Sequence, residues 1–296
     1  MNIVDILDLA IKRHETGTAE NAYIISHNGK TLLKQNYMSN NEWKSFLAAI
    51  SSTARNEYEA GSGDELSEKN GRPPKMASYG SSSRMIYTLS SAQAAFHYEK
   101  QLPTTIGGKA HLDGFYEDEK HYIFVEAKCH EIYSKKAEPI SHAYSKLYEY
   151  INQRTAGNLS ISMSPSKKEH YMDVAFEVNG KELKRFDIKQ MICHLLGVAT
   201  AFLKGSFTIK KTDFVYLLYD PSHLDISEDA KAEINSIYQQ TCRECNLIDF
   251  AELYRAILQF LAAKTYQNVP SSDIDKLVDL FSFTLSSQKT YQALIK

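Results

Sequence analysis

Tyr122-Ile123-Phe124-Val125 is an unbroken apolar run, and it leads directly into Glu126-Ala127-Lys128. A run this rich in β-branched and aromatic residues reads as a strand buried on both faces. Side chains alternate along a strand, so Glu126 and Lys128 share one face while Ile123, Val125, Ala127 and Cys129 take the other. A charged pair closing so apolar a strand is costly to bury unless something compensates it, and a bound cation would.

The preceding segment supplies a partner. Leu112 to Tyr116 reads as a second strand, joined to Tyr122–Cys129 by the charged turn Glu117-Asp118-Glu119-Lys120. A turn centred on Asp118-Glu119 sets Asp113 opposite Phe124 and diagonal to Glu126 on the same face, roughly 7 to 8 Å away at the backbone. Two carboxylate arms can bridge that gap through one cation. Other acidic-x-Lys triplets occur, among them Glu42-Trp43-Lys44 and Asp187-Ile188-Lys189. Glu126-Ala127-Lys128 is set apart by ending a central-type strand with an acidic residue on the strand before it.

Around this pair the chain falls into three stretches. Residues 1–83 form an accessory segment: a helix over Ile3–Ile11, a hairpin turning at Asn28-Gly29, a helix from Asn41 to about Tyr58, and a polar connector over 61–83. In that connector Arg72, Lys75 and neighbouring Arg84 could reach DNA, against the plainer reading of a solvated link. Residues 84–225 carry the core, with an insertion at about 131–186. A helix is expected over Ser90–Leu102, from a capping-box spacing at Ser90 and Gln93 to the stop at Pro103. Its stripe of Ala92, Ala95, Phe96, Glu99 and Leu102 puts a carboxylate on an apolar face. Glu99 is then either a ligand reached through water or a boundary residue paired with a lysine. A strongly apolar helix over Asp187–Leu203 and a buried strand over Phe214–Tyr219 follow, and 226–296 reads as helical throughout.

Helix, strand, strand, insertion, helix, strand, with Glu99, Asp113, Glu126 and Lys128 at these places, resembles the PD-(D/E)XK nucleases, the superfamily of many restriction endonucleases. The resemblance covers about Ser90 to Pro221 less the insertion, and departs from the family name in having Leu112 where the proline would stand. It implies an α/β fold of the α+β type, with a mixed sheet flanked by helices. It implies a Mg²⁺ site, with Mn²⁺ able to substitute, held by Asp113, Glu126 and the backbone carbonyl of Ala127, and by Glu99 through water. Lys128 would orient or help deprotonate the attacking water, or stabilise charge on the phosphate. Some relatives place a Gln or Lys near the metal from the later helix, which makes Gln190 a secondary candidate. His194, four residues on, reads as a satisfied helix histidine.

The chemistry agrees with the resemblance: phosphodiester hydrolysis near neutral pH calls for a divalent cation, and magnesium takes hard oxygen donors. The expected function is a restriction or defence endonuclease acting on double-stranded DNA as a homodimer. The rivals are a repair or mobile-element nuclease that reads DNA structure, a non-catalytic DNA-binding module of the same fold, and a coincidental triplet. A formal net charge of −2 means that any attraction to nucleic acid must come from local patches. Lys135-Lys136, Lys167-Lys168 and Lys210-Lys211 are candidates, the first two in the insertion near Tyr144, Tyr148 and Tyr150. His111, His130 and His142 flank the site. Cys242-Arg243-Glu244-Cys245 has the spacing of half a zinc site, but no second pair lies near it. Four scattered cysteines and no long apolar run point to a cytoplasmic protein outside the membrane.

Overall fold

The computed structural model describes residues 2–18, 23–27, 30–34, 36–61, 65–69, 73–134, 139–155 and 158–294. The chain opens with helix α1 (Ile3–Thr16), strands β1 (Tyr23–His27) and β2 (Lys30–Lys34), and helices α2 (Asn40–Ala49), α3 (Ser52–Ala60) and α4 (Ser82–Ser90). α1 outruns the expected end at Ile11 because Gly17, at φ 73°, is the first residue free to close it in the left-handed conformation. The expected Asn41–Tyr58 helix is two helices: Ser51 leaves helical geometry to accept a hydrogen bond from the Ala54 N–H and starts α3 afresh. β1 and β2 pair antiparallel as expected, with the Asn28-Gly29 turn outside the described residues.

The core sheet is mixed. Strands β3 (Phe96–Pro103), β4 (Lys109–Glu117) and β5 (His121–Lys128) form an antiparallel meander, followed by the insertion, helix α6 (Ile188–Leu203) and strand β10 (Lys211–Leu218), which lies parallel to β5. The insertion holds β6 (Ile140–Ser141), α5 (Ser145–Arg154), β7 (Leu159–Pro165), β8 (Tyr171–Val178) and β9 (Lys181–Glu182), with the strands in a second sheet. Helices α7 (Glu228–Asn246), α8 (Phe250–Lys264) and α9 (Ser271–Asp279) follow, and β11 (Phe281–Ser287) joins β10 in parallel to complete the order β11-β10-β5-β4-β3. The protein is thus mixed α/β.

Two expectations fail here. The segment 90–102 is not one helix: α4 ends at Ser90, and Phe96–Pro103 is strand β3. Phe96, Tyr98 and Leu102 fit a two-residue period as well as a helical stripe, and pairing with β4 decides between them. The C-terminal stretch is not helical throughout, since β11 enters the sheet. Its alternation, Phe281-Ser282-Phe283-Thr284-Leu285, is the signature of a strand with one covered face.

One continuous apolar core includes Leu7 and Ile11 of α1, Phe124 of β5, Leu195 of α6 and Leu261 of α8. The polar stretch 61–83 shares it in part. Met76 is 0% and Tyr79 4% exposed, and Arg84 is ion-paired with Glu15 and lies over the Tyr79 ring, so these residues are core rather than a solvated arm. Arg72 lies outside the described residues. No helix among the described residues is long and apolar enough to cross a membrane.

α1 is fastened beside the C-terminal end of β5 by Asp8, which is 1% exposed. Its carboxylate accepts from His130 Nδ1 at 2.9 Å, Asn36 Nδ2 at 3.1 Å and Ser78 Oγ at 3.2 Å. Burial lowers the His130 pKa, but the Asp8 hydrogen bond and the charges of Glu131, Asp8 and Asp5 outweigh it and hold it at about 9. A histidine raised on folding stabilises fully below its unfolded pKa and loses that contribution as pH rises through the folded one. Unfolding stability should therefore fall by on the order of 2 kcal/mol between pH 6.5 and 9.5. In His130→Gln that decline should flatten, as urea titrations across the range would report. An equally steep decline in the variant would remove the assignment.

Candidate active site

β4 and β5 pair through Glu117↔Tyr122, Phe115↔Phe124 and Gly114↔Val125. The register is two residues off the expected one, a slip that keeps every side chain on its face. It brings Asp113 level with Glu126 instead of diagonal to it. Paired backbone contact stops at Gly114↔Val125, and beyond it the Asp113 carboxylate takes over. Its Oδ2 accepts the Ala127 N–H at 2.7 Å.

The same level of the sheet is irregular on the other side. Between Tyr98↔Gly114 and Lys100↔Leu112 the pair Glu99–Asp113 drops out of the ladder, and Glu99 sits at φ 51°. Alternation reverses there. Tyr98 stacks on Tyr58 and meets Tyr87 at a tilt, on the side covered by α3 and α4, whereas Leu102, an even number of residues on, meets α6 at Gly197. On β4, a Cβ at Gly114 would collide with Phe96 and approach Ile86 of α4, while Ala110 faces α6. Both strands change face at the level of Glu99 and Asp113. Such breaks in strands re-aim side chains, and a non-glycine residue at positive φ stores strain that is concentrated at functional sites.

Glu126 is 2% exposed and is gripped from two directions. Lys128 Nζ lies 2.6 Å from its Oε1, and His194 Nε2 from α6 lies 3.0 Å from its Oε2. Burial pushes the Glu126 carboxyl up, but Lys128 and His194 outweigh it and hold it at about 2. Burial lowers Lys128, yet Glu126, Tyr216, Glu131 and Asp113 more than offset it and keep the ammonium well above its ordinary value. Asp113 goes the other way. Burial, then the charge of Glu126, raise its carboxyl well above the usual range against the pull of Lys128, with Glu99 adding to the rise. Two carboxyls that oppose each other's ionisation in a buried place are a pair a cation would relieve.

Does this donor set suit a magnesium ion? Among the described residues no three His, Cys, Asp or Glu side chains are already arranged to hold a metal. Magnesium commonly binds through one or two carboxylates and keeps several waters, so the Asp113–Glu126 pair meets its need.

The expected site residues come together unequally. Asp113, Glu126, Ala127 and Lys128 do so. Glu99 arrives on a strand, not a helix, and its carboxylate leans toward the end of α3: a Cβ at Gly61 would come within 2.8 Å of its Oε2. It stays close enough to raise Asp113. Gln190, partly buried, is one turn before His194 on α6, and its backbone N–H bonds the Asp187 cap at 2.9 Å.

Two residues were missed. His194 reads from sequence as a satisfied helix histidine, and it is 2% exposed with its Nε2 paired to Glu126 Oε2, which makes it part of the candidate site. An imidazole inside a stripe of Met191, Ile192, Leu195 and Ala199 was the available signal. Tyr216 is level with Glu126 in the parallel β5–β10 register, and that register cannot be read from sequence.

The proposed DNA contacts divide. Tyr144 and Tyr148 are buried and Tyr150 meets Phe260 ring to ring, so the insertion's tyrosines are its core and not a stacking surface. Lys210 and Lys211 pair with Glu117 and Asp213 at the opposite end of the sheet from Lys128. Lys167 and Lys168 are exposed between β7 and β8, while Lys135-Lys136 lies outside the described residues. Cys242 and Cys245 are free thiols on α7. Comparison with protein-family models, curated proteins and solved structures returns no match.

Proposed function

We propose that the protein is a divalent-cation-dependent endonuclease of the PD-(D/E)XK type that hydrolyses phosphodiester bonds in double-stranded DNA, with a restriction or defence role. The observation that carries this reading is the Asp113–Glu126 pair, Glu126 buried and Asp113 partly so, with Lys128 alongside, where β4 and β5 part. The order α4-β3-β4-β5, α6-β10 around it supports a restriction-endonuclease-like core.

Asp113 and Glu126 would hold the cation, and the Ala127 carbonyl offers a third oxygen. Bound there, a magnesium ion activates water and offsets charge on the phosphate. Lys128 contributes a fixed positive charge, held in place by its ion pair with Glu126, that would stabilise charge growing on a phosphate oxygen. Glu99, near enough to raise Asp113, would reach the cation only through water, and Gln190 on α6 remains a secondary candidate. The exposed Lys167-Lys168 turn offers phosphate contacts, and a homodimer would present two sites to two strands.

Incubation with unmodified plasmid tests the reading. Cleavage should require Mg²⁺, stop with EDTA, and fall at least about 100-fold in Lys128→Ala. Discrete fragments would favour sequence recognition, and a smear would favour recognition of DNA structure. Undiminished cleavage in Lys128→Ala would remove the assignment.

A further inference from the structure

Strand β11 ends the core sheet, and its outer edge is open. Thr212 N–H bonds the Leu280 carbonyl at 2.9 Å, so in the parallel ladder Ser282, Thr284 and Ser286 turn their peptide groups toward β10, while Phe281, Phe283 and Leu285 turn theirs away. Among the described residues no backbone hydrogen bond reaches these outward groups. Two other edge strands are closed. On β3 the Glu57 carboxylate accepts the Tyr98 N–H at 2.9 Å, Glu99 breaks the ladder at φ 51°, and Pro103 ends the strand. On β7 the Asn152 side chain takes both the N–H and the carbonyl of Ile161, at 2.7 and 2.8 Å. Phe281-Ser282-Phe283-Thr284-Leu285-Ser286-Ser287 has no charge, proline or bulge, the devices that keep edges from pairing.

The strand is also complementary to itself. Turned antiparallel about Thr284, two copies set Phe283 opposite Leu285, Ser282 opposite Ser286 and Thr284 opposite Thr284, so apolar side chains meet on one face and hydroxyls on the other. Phe283 and Leu285 carry open peptide groups and would exchange backbone hydrogen bonds across the axis. Charge agrees with this register: the end carrying exposed Asp279 meets the end of the second copy carrying exposed Lys289, on both sides of the axis. A hollow of about 330 Å³ lies beside Phe281–Phe283, walled by Cys245, Ile248 and Phe250 at the corner between α7 and α8, and it faces the place that Leu285 of the second copy would take.

We propose that two copies of the chain pair β11 to β11 about a two-fold axis at Thr284, joining their core sheets into one continuous sheet. This names the interface of the homodimer in the nuclease reading above, and rests on that reading only for its purpose. The Glu126 residues of the two copies would lie on one face of the joined sheet, roughly 24 Å apart.

Sedimentation of the full chain at micromolar concentration should show a dimer. Thr284→Lys and Thr284→Asp should each weaken it at least about 10-fold, because like charges then face each other at the axis, and an equimolar mixture of the two should restore it. Thr284→Cys should form a covalent dimer under mild oxidant, since a directly opposed pair without mutual hydrogen bonds sits within disulfide reach, while the wild type with its four cysteines should not. If the charged variants fail to fold, wild-type sedimentation and the cysteine variant still decide. A monomeric wild type, a dimer that the folded charged variants leave intact, or a Thr284→Cys chain that stays uncross-linked would each overturn the proposal. Plasmid cleavage by a monomer would sink this inference and leave the nuclease. A dimer joined at Thr284 without cleavage would do the reverse.

Discussion

Asp113→Asn should abolish metal-dependent DNA cleavage and, in EDTA, melt at a higher temperature than the wild-type protein. The loss of activity follows from removing one of two carboxylates that would hold the cation, and should reach at least about 1,000-fold. The gain in stability has a different origin. Asp113 is a partly buried carboxyl beside Glu126, and desolvation and that charge raise its pKa well above the ordinary value. An acid whose pKa rises on folding binds protons more readily when folded, so its contribution to stability worsens as pH climbs past the unfolded value. At neutral pH it opposes folding. Asparagine keeps an oxygen that can accept the Ala127 N–H and removes the repulsion. The expected gain is about 1 kcal/mol, or roughly 2–4 °C in midpoint. Saturating Mg²⁺ should narrow or reverse the difference, because only the wild type gains a bound ion. A variant less stable than wild type in EDTA would show that Asp113 serves the fold, and would remove the physical basis for the cation site.

The legible part of this site was the part written locally. Glu126 and Lys128 share a face because strands alternate, and that holds whatever the strand pairs with. The Asp113 level was wrong by two residues and the face still right, because hairpin register slips that preserve parity preserve faces. Glu99 was misread because its segment fits both periods, and the choice was made by β4, which no window over 90–102 contains. The reversal of alternation at Glu99 and Asp113 is equally invisible, since it shows only once α4 and α6 are laid against the two faces of these strands. His194 and Tyr216 enter only once α6 and β10 are laid beside β5, after an intervening insertion. The tyrosines of α5 show the converse error. Aromatic and basic residues interleaved in sequence suggest a nucleic-acid surface, but Tyr144, just before α5, and Tyr148 within it are both buried.

The same lesson applies to Cys242-Arg243-Glu244-Cys245, where the cysteines drew notice and the glutamate carries the structural weight. Glu244, on α7, is 6% exposed. Its Oε2 accepts three consecutive backbone N–H groups, those of Lys184 at 3.0 Å, Arg185 at 2.7 Å and Phe186 at 2.9 Å, while its Oε1 accepts from Gln240 Nε2 at 2.8 Å. These three residues carry the chain from the insertion into α6, and so set where His194 meets Glu126. Glu244→Ala strands all three donors. A stranded N–H costs about 1–3 kcal/mol when buried, and water can reach the one on exposed Lys184, so the total should be about 3 kcal/mol. Glu244→Gln keeps a neutral acceptor and should cost about 1 kcal/mol, the part owed to charge assistance. Urea denaturation with unchanged slope would measure both, and an alanine variant within about 0.5 kcal/mol of wild type would refute the role. DNA cleavage supplies the control. A residue that only fastens the approach to α6 should lower stability in both variants, while Glu244→Gln, still folded, should keep the metal-dependent cleavage that Lys128→Ala is expected to lose.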